Sequence, residues 1–199
     1  MKYFFSTLGS LLIVFSLTES AWAASDGDRD RGFVLDAGGL YETYSNNNTT
    51  GSQNSKTTTT STNGLGDFGY RFEHFYLGGT YLYYTNNVTT TGGSSTGSTI
   101  SWLAPTVGWS ESHFKLNAGY VATATDAVVS GSTTNYSNGT GWFASLGYEF
   151  YVSRTVYIAP VVAYYDVVFT SSSVNGTSVP NTKYEVTNLQ PMLTLGIVF

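Results

Sequence analysis

Two kinds of segment alternate along this chain, and that alternation leaves few folds open. One kind is aromatic and β-branched with glycine between; the other is almost pure Ser, Thr, Asn and Gly. Eight segments of the first kind span about 32–45, 63–73, 75–86, 99–110, 114–126, 140–150, 155–169 and 183–199. Within them apolar residues recur at every second position, the period of a strand whose two faces meet different surroundings. Pro191, Leu193, Leu195, Ile197 and Phe199 form one such row. Trp142, Ala144, Leu146, Tyr148 and Phe150 form another, and so do Phe114, Leu116, Ala118, Tyr120 and Ala122. Phe68, Tyr70 and Phe72 alternate with Asp67, Gly69 and Arg71. The third, fourth and seventh segments are less regular. Pro105 and Pro160 fall inside two of them and are expected at bulges or poorly paired positions, because a paired strand interior uses its N–H groups.

The connections come in two sizes that take turns. Glu73-His74, Ser110-Glu111-Ser112-His113 and Tyr151-Val152-Ser153-Arg154 are tight, while about 46–62, 87–98, 127–139 and 170–182 read as long loops. Short turns at one end and long loops at the other are what a membrane-spanning up-and-down barrel shows. The expected fold is therefore all-β: an eight-stranded antiparallel transmembrane β-barrel over 32–199, with both chain ends on the short-turn, periplasmic side.

Composition agrees. Charged residues are 11% of the chain, against about 25% in soluble domains. Aromatics are 16%, and the mean hydropathy of −0.06 means that apolar and polar residues are finely interleaved. The net charge is −5 with no basic cluster, which disfavours nucleic acid as a partner. There is no cysteine, hence no disulfide, thiolate metal site or lipidated cysteine. Residues 1–23 read as a signal peptide: Lys2, the short apolar run through Leu11-Leu12-Ile13-Val14-Phe15, and Ala21-Trp22-Ala23 before cleavage. Residues 24–31 are then a short periplasmic lead. Aromatics also gather at segment ends, with Phe72, Phe75, Trp109, Phe114, Phe150 and Phe199 near the tight turns. Tyr41, Tyr83, Trp142 and Tyr165 lie near the long loops, so two interfacial girdles are expected.

On these patterns the mature chain resembles the small eight-stranded outer-membrane proteins, the class of the outer membrane protein A transmembrane domain and outer membrane protein X. The most specific element is the end, Leu193-Thr194-Leu195-Gly196-Ile197-Val198-Phe199. Leu193, Leu195, Ile197 and the terminal Phe199 resemble the signal read by the barrel-assembly machinery. The resemblance implies insertion into a bacterial outer membrane by that machinery, with outer-membrane lipids around the wall. It implies no activity, since this fold carries many.

Parity places Asp36, Glu42, Asp67, Arg71, Lys115, Glu149 and Asp166 inward. Asp36, Arg71, Lys115 and Glu149 should share the short-turn half of the lumen and neutralise one another there. The plain role of such a cluster is structural, because buried charges must pair; the sharper one is a gate. An eight-stranded barrel has room inside for little beyond side chains. His74, His113 and Ser112 superficially look like hydrolase parts, but neighbours in a turn point apart, and a triad needs a Ser–His hydrogen bond. No catalytic, cofactor or metal site is expected. Asn48, Asn87, Asn138 and Asn175 sit in glycosylation-like tripeptides that Asn/Thr richness alone produces. The low-complexity loops are expected to be mobile and solvated, and to be where any extracellular ligand or surface partner would meet the protein. A structural or surface-interaction role leads the functional readings. A narrow pore or a route for small hydrophobic molecules, a lipid-modifying enzyme, and a soluble β-barrel or sandwich stand as rivals.

Overall fold

A computed structural model describes residues 31–50, 53–91, 93, 95–180 and 183–199. The expected signal peptide, 1–23, and nearly all of the expected lead, 24–31, lie outside these residues. Eight long strands run antiparallel: β1 (Arg31–Thr50), β2 (Gln53–Phe72), β3 (Phe75–Thr90), β4 (Ser95–Glu111), β5 (Phe114–Ser130), β6 (Ser132–Tyr148), β8 (Val156–Val174) and β10 (Tyr184–Val198). Two short pieces, β7 (Phe150–Tyr151) and β9 (Thr177–Val179), pair onto β8. Each long strand pairs with the next, β6 passes to β8, and β10 returns to β1, so the sheet closes in a ring. No described helix is long and apolar enough to cross a membrane.

The dyad rows face as their parity requires. Phe33, Leu35, Phe68, Phe72, Leu77, Leu116, Leu146, Leu193, Leu195 and Phe199 are exposed on the outer wall. Between them Val34, Asp36, Asp67, Arg71, Lys115, Asn117 and Ser145 are buried inside the ring. β8 is apolar on both faces, so its parity is ambiguous in sequence, and two assignments change. Tyr165 is fully buried in the lumen rather than in an outer girdle. Asp166 lies on the outer face, where its carboxylate accepts a hydrogen bond from Thr187 at 3.4 Å.

The stretches expected as long loops are strand. β1 and β2 stay paired out to Thr50↔Gln53, and β6 and β8 out to Thr134↔Val174. The reason is local. Runs of Thr are β-branched and suit a pleated ribbon, and cross-strand hydroxyls meet, as for Ser45 and Thr58 at 3.2 Å. The turns are correspondingly tight. Asn175 (φ 49°) and Gly176 (φ 84°) join Val174 to Thr177 through the two left-handed residues of a type I′ hairpin. At the other rim Ser112 (φ 48°) and His113 (φ 79°) do the same between Glu111 and Phe114. The prolines sit at breaks. The β4–β5 register shifts between Leu103 and Thr106, across Pro105. Pro160 follows the last β7 partner, Ile158, and precedes the last β6 partner, Val161.

The ring is unevenly closed. β1 and β2 are paired along their whole length, but β1 and β10 pair only from Val34↔Val198 to Gly39↔Leu193. Gly38 lies at this joint, and a Cβ there would collide with the carbonyl oxygen of Leu193.

Candidate functional site

Among the described residues buried charge is concentrated in the lumen, and it is layered. Nearest the short-turn rim, Arg71 of β2 faces Glu149, the residue between β6 and β7. Its guanidinium donates to both carboxylate oxygens, at 3.1 and 2.5 Å, and to the Tyr151 hydroxyl at 3.0 Å. Tyr151 itself donates to Glu149 at 2.9 Å. This forked geometry holds a carboxylate in a fixed plane.

One layer further in, Lys115 of β5 reaches across to β1 and β2. Its ammonium donates to Asp36 and, at 2.8 Å, to Asp67. Tyr157 of β8 donates to the second oxygen of Asp36. Asp67 also accepts from Thr80 at 2.6 Å and from the Asn117 amide at 3.2 Å. Arg71 and Lys115 further lie 5.9 and 5.8 Å from the ring centroids of Tyr157 and Tyr76. All five charged side chains are buried. A charge taken from water carries a large desolvation penalty, and only mutual attraction plus further hydrogen bonds offset it.

Above the charges the filling turns aromatic. Trp102 packs on Phe143 and Tyr165, with ring centroids 4.9 and 5.8 Å apart, and all three are buried. Further toward the hairpin tips Tyr136 stacks on Tyr184 at 4.1 Å, with Phe169 beside them. Side chains thus occupy the bore from the charged layer upward.

The structure therefore brings the four expected charges into two linked clusters, Arg71 with Glu149 and Lys115 with Asp36. It adds Asp67, so two bases face three acids and the site is not self-neutralising by count. Sequence parity puts Asp67 inward but cannot show that it shares Lys115, because that depends on how strands stagger around the ring. Tyr151 and Tyr157 carry no polar signal in sequence, yet each binds a carboxylate. Glu42 does not join the cluster; it is exposed on β1, beyond the last β1–β10 pair. His74 and His113 lie at the tight turns, with the His74 ring nitrogen 3.4 Å from the Ser110 carbonyl and the His113 ring stacked on Tyr148. No group of three potential metal ligands occurs among the described residues.

No family model matches the sequence, and no curated protein matches it. Among solved structures the chain is similar to outer membrane protein AlkL, determined by solid-state NMR in DMPC lipid bilayers. The identity is 8% and the TM-score 0.43, covering 89% of this chain and 95% of that one. It is also similar to in-vitro folded OmpT, an outer membrane protein of Vibrio cholerae, at 17% identity and TM-score 0.32. That match covers 88% of this chain and 53% of OmpT, so the chain spans about half of OmpT's length.

Proposed function

We propose that the protein is an integral outer-membrane β-barrel with an occluded lumen and a non-enzymatic role, structural or in surface interaction, exercised by the Ser/Thr/Asn-rich ends of its hairpins. The observation that carries this reading is the inverted polarity of the wall. Phe33, Leu35, Leu77, Leu116, Leu193 and Leu195 face outward while Asp36, Asp67, Arg71, Lys115 and Glu149 are buried inside. A contiguous apolar outer surface of this extent is unstable in water and stable in hydrocarbon. A ring of paired strands is also one of the two architectures that satisfy the backbone there.

On β10 the outward row from Leu189 to Phe199 is apolar, and Thr187 and Glu185 beyond it are polar. Ten residue steps at strand rise and barrel tilt give about 25 Å, the height of a lipid-facing band. Outer-membrane lipids would contact this band, and the barrel-assembly machinery would read Leu193, Leu195, Ile197 and Phe199. The polar hairpin ends would stand outside the cell and the chain ends in the periplasm. A narrow pore is the rival role, and the stacked filling from Arg71–Glu149 through Trp102, Phe143 and Tyr165 opposes it.

The test is fractionation of cells expressing the full chain. The expected result is recovery in the outer-membrane fraction after a carbonate wash, with a mobility on gels that changes on boiling. Recovery in the soluble periplasm would overturn the reading.

A further inference from the structure

We infer that the gap between β1 and β10 is a lateral binding site for the hydroxyl-bearing head of an amphiphile seated in the outer leaflet. The inference rests on the membrane reading above and goes beyond it, since it assigns a ligand class to a place the surface role does not use. Three observations meet at the gap.

The first is the broken ladder. Phe199 donates its N–H to the Phe33 carbonyl and Val198 donates to Thr155, so odd residues of β10 direct their backbone groups toward β1. Continued past Gly39↔Leu193, the register would set Pro191 opposite Tyr41. Proline has no N–H to give, and pairing ends two residues before it, at Leu193. The edge groups of Tyr41 and Leu189 therefore face the gap without a strand partner. Leu189 ends the lipid-facing row, so these groups lie at the depth of the outer leaflet, where water is scarce and unmet backbone groups are costly.

The second is a cavity of about 80 Å³ at the gap, walled by Leu40 and Glu42 of β1, Asn63 of β2, Tyr84 of β3, and Leu189 to Pro191 of β10.

The third is Gln190. The residue is 3% exposed, it belongs to the cavity wall, and neither its amide nitrogen nor its amide oxygen has a hydrogen-bond partner. Buried amide groups left unmatched are rare and call for a partner.

The chemistry of the partner follows from what is unmet. Gln190 offers one donor group and one acceptor, and a hydroxyl both donates and accepts. An ammonium only donates and would leave the Gln190 nitrogen unmatched. A carboxylate only accepts, and it would face Glu42 with no basic residue in the wall to offset it. The tail then leaves between Leu40 and Pro191 into lipid. Below the cavity the Trp102–Phe143–Tyr165 layer closes the bore, so the site binds rather than conducts.

The experiment uses the full-length mature chain refolded in phosphatidylcholine vesicles. Three photoreactive probes share a lauryl chain with a diazirine near the head and differ only in that head: a primary alcohol, a primary amine and a carboxylate. The alcohol is expected to label 40–42 and 188–191 at least roughly fivefold above the other two, the factor that one to two net hydrogen bonds supply. Gln190→Leu is expected to abolish that preference. Pro191→Val restores the missing N–H, should extend the β1–β10 ladder and should lower alcohol labelling with Gln190 intact, so it carries the test if Gln190→Leu fails to fold. Equal labelling by the three heads, or a preference unchanged in either folded variant, would overturn the assignment. Failure of the membrane reading looks different: the protein would not float with the vesicles before any irradiation.

Discussion

At the residue scale the stability of the lumen rests on the mutual pairing of its charges. Glu149 takes two bonds from Arg71 and one from Tyr151, and Lys115 is shared between Asp36 and Asp67. Removing one partner strands the other in a dry interior. Arg71→Ala is expected to destabilise the protein by about 3–5 kcal/mol, the usual penalty for an uncompensated buried charge. Adding Glu149→Ala should recover much of that loss. Urea unfolding of the protein in lipid vesicles measures both, and a single variant within error of wild type would show that the pair is not buried as described. Which charges would be inward was legible from dyad parity for Asp36, Asp67, Arg71, Lys115 and Glu149. It failed for Asp166 and Tyr165 because β8 offers apolar residues on both faces, so no polar row fixes its phase. The partners of each charge were not legible, since they are set by stagger between strands distant in sequence.

At the element scale the eight strands were readable and their lengths were not. Thr57–Thr60 and Thr89–Thr91 look like low-complexity loop, yet Thr is a strand former and the hairpins continue through them. The Asn175-Gly176 pair between Val174 and Thr177 is a hairpin signal that short-range reading can find; the Thr runs lack one. The C-terminal strand supplies a sharper test of facing. Leu195→Arg places a charge near the middle of the outward row and is expected to cost about 2–4 kcal/mol in lipid, against less than about 1 kcal/mol at the row's end. Equilibrium unfolding from vesicles distinguishes these, and equal values at both positions would remove the lipid band. The joint between β1 and β10 is the other sensitive element. Gly38→Ala forces a Cβ against the Leu193 carbonyl, so the closing strands must separate. A loss of about 1–3 kcal/mol is expected from such overpacking, together with faster amide exchange along 34–39. That the ring would close by so few pairs was hidden in sequence, because Pro191 matters only once its N position is known to face β1.

At the scale of the whole molecule the wall is inside-out and the bore is filled. Single-channel recording should therefore be silent for wild type, and also for Arg71→Ala, because the Trp102–Phe143–Tyr165 layer persists when the charged layer is cut. Reproducible conductance from folded protein would promote the pore reading instead. The polarity of the wall can be measured more directly through three tryptophans that the fold separates. Trp109 and Trp142 are 40% and 49% exposed on the outer wall, and Trp102 is 1% exposed in the lumen. The decisive measurement is fluorescence of single-tryptophan variants in vesicles of brominated phosphatidylcholine, where bromine quenches only rings that touch acyl chains. The account predicts strong quenching of Trp109 and Trp142 and little of Trp102. Quenching of Trp102 as deep as that of the outer pair, or none at all three, would contradict it.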